Sequence, residues 1–102
     1  MGELPNMIRH IVFFSARKAE DRNVVYEGLK LLTSIPDCLH LEIGKNFQND
    51  TISPGGPDFI VYGEFADEAQ LARYKTHPLY QKSIDAVRPL RDMRIAADFL
   101  AD

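Results

Sequence analysis

The stretch MIRHIVFFS, residues 7–15, decides the fold. It is dense in β-branched and aromatic side chains and too short for a core helix, so it reads as a strand. Side chains alternate across a strand, which sets Ile8, His10, Val12 and Phe14 on one face and Ile11 and Phe13 on the other. Both faces are apolar. DFIVYGEF, residues 58–65, behaves alike, with Phe59, Val61 and Phe65 set against Ile60 and Tyr62. A sheet built on such strands needs cover on both sides.

Between these strands, AEDRNVVYEGLKLLTSIPD (19–37) carries Val25, Leu29, Leu32 and Ile35 at steps of four, three and three, an amphipathic helical stripe. Glu20 and Asp21 suit its first turn and Pro36 stops it. Gly28 lies within the stripe, where it weakens the helix but permits close packing. LHLEIGKNF (39–47) alternates as a half-buried strand, with Leu39, Leu41, Ile43 and Phe47 on its apolar side. QNDTISPGGP (48–57) is a loop. Asp67 caps a helix holding Leu71 and Tyr74, a short helix runs from about Leu79 to Val87, and Arg91–Leu100 closes the chain as strand four. Met93, Ile95, Ala97 and Phe99 share one side of that last strand.

The order is β-α-β-β-α-(α)-β, an α+β, ferredoxin-like pattern with a four-stranded antiparallel sheet. In a two-layer fold of this kind the helices cover one face of the sheet. A wide bare apolar face marks an interface or a cavity, so the second face predicts a homodimer whose two sheets meet.

The 102 residues form a single domain, residues 1–102, large enough to bury one core without staples. The net charge is −3 and no basic run exceeds Arg17-Lys18, which argues against nucleic acid or an anionic membrane as partner. RNA-recognition domains share the strand order, but DFIVYGEF lacks their basic-glycine-aromatic run. Cys38 is alone, which excludes an internal disulfide, and inert burial is expected for it. The three histidines lack metal-ligand spacing, so no metal site and no cofactor is expected, although scattered acidic residues leave a surface magnesium ion open. MGELPN lacks a secretory layout and has Asn6 where myristoylation wants Ser or Thr, so a cytoplasmic protein is expected.

RYKTHPLYQK, residues 73–82, gathers a histidine, a proline and two tyrosines. Thr76-His77-Pro78 reads as a helix break, with His77 as the N-cap of the next helix and Pro78 at its first position. The break lets Tyr74 and Tyr80 turn toward one place, where phenols can donate to a developing oxyanion. His10 is the only ionisable group on its face of strand one, and an imidazole suits proton transfer near neutral pH.

MIRHIVFF, LARYKTHPLYQK and ADF together resemble the stress-responsive dimeric α/β-barrel (Dabb) family across nearly the whole chain. The motif set falls on His10, Phe65, Tyr74 with His77-Pro78, and Asp98-Phe99. The resemblance implies two ferredoxin-like subunits whose sheets close a barrel. A plant polyketide cyclase of this family closes a ring by aldol condensation without metal or cofactor. It is similar to this chain in the strand-one histidine and the helix tyrosine, but it carries a second histidine where this chain has Tyr80.

Two readings follow. In the first, an enzyme acts on a small hydrophobic or aromatic molecule in an apolar barrel pocket by aldol, decarboxylase or monooxygenase-like chemistry. His10, Tyr74 and Tyr80 are then catalytic, Val12, Phe14, Tyr62 and His77 contact the ligand, and the 48–57 loop covers the mouth. In the second, a dimeric stress or metabolite-binding protein performs no turnover. A cavity large enough for a ligand distinguishes an open barrel from a filled one.

Overall fold

A computed structural model describes residues 6–102, so Met1–Pro5 of the N-terminal segment read above for targeting lie outside the described residues. Strand β1 spans Ile8–Ala16, β2 His40–Lys45, β3 Phe59–Phe65 and β4 Arg91–Leu100. Helix α1 spans Arg22–Lys30, α2 Glu68–Thr76 and α3 Pro78–Val87. The strands form one antiparallel sheet in the order β2-β3-β1-β4, the ferredoxin-like arrangement.

Register fixes the two faces. Ile8 pairs with Phe65, Val12 with Val61 and Phe14 with Phe59, and all six lie buried under the helices. Ile11 pairs with Tyr62 and with Ala97, and Phe13 with Ile60 and Ile95, on the opposite face, which no helix among the described residues covers. There Ile95 is 56% and Phe99 50% exposed. At one end of this face Arg9 Nη1 donates to the Tyr62 hydroxyl (2.7 Å), which donates in turn to Glu64 Oε2 (2.6 Å).

The stripe of α1 is the helical half of the core. Val25, Leu29, Leu32 and Ile35 are each 5% exposed or less. After Lys30 the helix tightens to a 3-10 turn, Leu31–Ser34, and it ends where Ile35 turns extended (φ −80°, ψ 121°) ahead of Pro36. α1 and α3 touch at Gly28. A Cβ there would stand 2.8 Å from Val87 Cγ2, and Ser83 Oγ donates to the Gly28 carbonyl at 2.8 Å.

Asp67 caps α2 by accepting from the Gln70 N–H (2.8 Å). His77 caps α3, its Nδ1 accepting from the Leu79 N–H (3.1 Å), and Pro78 takes the first helical position, as the helix break predicts. Strand β2 is shorter than its alternation suggests. It ends at Lys45, so Phe47 falls in the loop and is 88% exposed rather than on the apolar side. Among the described residues no helix is long and apolar enough to cross a membrane.

Candidate functional site

A cavity of about 350 Å³ opens between the helix-covered face of the sheet and helices α1 and α3. This is at the lower end of small-molecule pockets. β1 supplies His10, Val12 and Phe14, α1 and the turn after it supply Leu29 and Leu32, and Tyr74 and Tyr80 close it from the helix break. The cavity therefore lies beneath the helices of this chain, and not on the helix-free face of its sheet.

His10 stands opposite Asp98 in the β1–β4 register, and its Nδ1 hydrogen-bonds Asp98 Oδ1. An ionised carboxylate only accepts, so Nδ1 carries the proton and Nε2 keeps its lone pair. Burial pushes the imidazole below its ordinary value, with Asp98 opposing and the charges of Lys75 and Arg94 adding. At neutral pH His10 is thus a neutral base whose tautomer is fixed from behind.

The His10 ring meets Tyr74 edge-on (6.1 Å between centroids, 70°), and Tyr74 meets Tyr80 likewise (5.2 Å, 73°). Burial, then the neighbouring Tyr80, raises the Tyr74 phenol well above its ordinary value, which keeps it a donor. Among the described residues no buried side-chain nitrogen or oxygen lacks a partner. Tyr74 Oη and His10 Nε2 make no hydrogen bond to those residues, and both side chains belong to the cavity wall.

Of the residues singled out from the sequence, His10, Tyr74, Tyr80, Val12 and Phe14 converge on this cavity. Two do not. Tyr62 points from the opposite face of the sheet, where parity within β3 places it with Ile60. His77 spends Nδ1 on the cap of α3 and does not line the cavity. Nor does the 48–57 loop cover this mouth. It borders a recess with Phe13 and Ile60 on the helix-free face.

Sequence reasoning missed the role of Asp98, which it had only as part of a motif, and the arginines. Arg88, Arg91 and Arg94 line the cavity, so its walls are less apolar than expected. Cys38, half-buried, has its thiol raised by burial and hydrogen-bonds the Ile35 carbonyl (3.5 Å). Among the described residues no group of three or more potential ligands could hold a metal ion.

A buried histidine held by an exposed aspartate, and two phenols, set between the helices and a four-stranded sheet, define a ferredoxin-like α+β domain with an internal pocket. The chain belongs to the stress responsive A/B barrel domain (Dabb) family, whose model matches residues 8–101. A Dabb family protein of ferredoxin-like fold from Mesorhizobium loti is 26% identical, with 93% of this chain and 96% of that one covered and a TM-score of 0.74. A dimeric ferredoxin-like protein of unknown function from Thermobifida fusca is 24% identical, covering 93% and 91%, with a TM-score of 0.77. A Nitrosomonas europaea protein, provisionally described as an antibiotic biosynthesis monooxygenase, is 16% identical, covering 99% and 95%, with a TM-score of 0.76. No curated protein matches the chain.

Proposed function

We propose that the protein is a homodimeric enzyme that removes a proton from a small, largely apolar molecule without metal or organic cofactor. The observation that carries this reading is His10, its Nδ1 held by Asp98 and its free Nε2 on the cavity. The substrate proton passes to Nε2 and the electron pair stays on the substrate as an enolate or phenolate, whose oxygen the Tyr74 and Tyr80 hydroxyls can meet. Aldol closure and cofactor-free oxygenation of an electron-rich aromatic both open with this step. Tyr80, standing where the polyketide cyclase has a histidine, supplies a donor and not a second base.

The test needs no known substrate. In D2O, the protein should speed C–H exchange of a cyclic 1,3-diketone or of resorcinol, and His10→Gln should remove the acceleration. Wild-type exchange no faster than that of the variant sinks the proposal. The alternative, a metabolite-holding protein without turnover, draws on the burial of His10 and Tyr74, which are 2% and 1% exposed. It expects ligand-induced shifts at His10 with no exchange.

The dimer rests on the apolar, helix-free face and on relatives described as dimeric. Light scattering should give twice 11.6 kDa. A cytoplasmic setting belongs to the same proposal.

A further inference from the structure

Residues three apart on a regular strand point to opposite faces. Arg91 and Arg94 do not obey this, because both line the cavity. The cause is a slip in the β1–β4 register. Phe14 pairs with Arg94 but Ala16 with Arg91, so two residues of β1 span three of β4. Ser15 Oγ accepts the Met93 N–H (2.9 Å) inside this irregular stretch. Bulges beside pockets commonly re-aim a side chain, and this one turns Arg91 to the same side as Arg94. Arg88, capping the C-terminal end of α3, joins them at the rim.

Three guanidinium groups thus converge in a chain of net charge −3, and among the described residues none of them is ion-paired. Burial, then the charges of Arg94 and Arg88, depresses Arg91 below its ordinary value. Arg88 and Arg94 are exposed at the rim, while Arg91, turned to their side by the bulge, is half-buried. A planar guanidinium fork matches a carboxylate with two parallel hydrogen bonds, and a cluster of them relieves its own repulsion by taking up an anion.

We propose that the arginine rim selects a small organic acid, holding its carboxylate at Arg91 and Arg94 with Arg88 adjacent, while the apolar body extends under the helices toward His10. This names the ligand class for the pocket of the preceding reading and rests on that pocket, not on the proton transfer.

The probes are 2-naphthoate and its neutral counterpart 2-naphthamide, with binding measured by calorimetry at low salt. The acid should bind about tenfold tighter or better, as charge-assisted bonds to arginine warrant. In Arg91→Gln/Arg94→Gln the preference should shrink to less than about threefold while the amide's affinity holds, which shows the pocket still formed. Equal binding of acid and amide, a preference unmoved in the variant, or binding of neither probe overturns the inference. The exchange assay is independent. Its failure beside an intact acid preference would remove the proton-transfer reading alone.

Discussion

His10 and Asp98 are 88 residues apart in sequence and directly opposed in register, and their side chains hydrogen-bond through Nδ1 and Oδ1. Two opposing influences act on the imidazole: burial, the larger, lowers its pKa and the carboxylate raises it. Asp98→Asn keeps an oxygen for Nδ1–H but removes the charge. The His10 pKa, followed by NMR, should therefore fall further in the variant. A rise would mean that Asp98 does not stabilise the imidazolium.

The same shift has a consequence for stability. Because the folded-state value lies below the ordinary 6.5, the unfolded chain takes up the proton first as pH falls. The contribution of neutral His10 is whole above pH 6.5 and is lost as pH drops from there through the folded value. Urea melts between about pH 5 and pH 7.5 should show stability rising with pH, and His10→Gln should flatten that slope. An unchanged slope in the variant would assign it to other groups.

Tyr74 separates packing from chemistry. Its ring lies between Phe65 (4.9 Å) and Tyr80 (5.2 Å), whereas its hydroxyl makes no hydrogen bond to the described residues. Tyr74→Ala should cost about 3–5 kcal/mol, as loss of a buried aromatic does. Tyr74→Phe should stay within about 1 kcal/mol of wild type yet lose most of the His10-dependent exchange. Full exchange in the Phe variant would remove Tyr74 from the catalytic set.

At the α1–α3 contact, Gly28→Ala improves helix propensity by about 1 kcal/mol but must displace Val87 Cγ2 from 2.8 Å and Ala86 Cβ from 3.2 Å. Overpacking of a tight core costs about 1–3 kcal/mol, so a net loss is expected. Adding Val87→Ala removes the clashing methyl. Denaturant melts should show the double variant less destabilised than the sum of the two single changes, and simple additivity would mean that the helices part freely.

The architecture was legible because each element carries its own period. Val25, Leu29, Leu32 and Ile35 are buried as their spacing requires, and the alternation in β1 and β3 correctly separates two faces. What alternation within one strand cannot give is the register between strands. Asp98 therefore could not be matched to His10, nor could Arg91 and Arg94 be placed together, since a bulge reverses the parity on which a strand reading depends. Phe47 continued an alternating pattern beyond the point where β2 ends, at Lys45. Tyr62, expected among the ligand contacts, lies with Ile60 on the far face, as its parity in β3 requires. Sequence thus located His10, Val12, Phe14, Tyr74 and Tyr80, and missed the charged groups that define the cavity's polarity.

The helix-free face and the pocket can be uncoupled. Ile95 is 56% exposed in one chain, so Ile95→Glu should cost an isolated subunit little. In a two-fold interface the same change occurs on both partners, and each would bury an unpaired carboxylate among Ile11, Phe13, Ile60 and their symmetry mates. Light scattering should then give 11.6 kDa with an unchanged far-ultraviolet dichroism spectrum. Because the cavity lies beneath the helices, on the side of the sheet away from Ile95, the monomer should still bind 2-naphthoate, and retained dimer mass would place the interface on another surface.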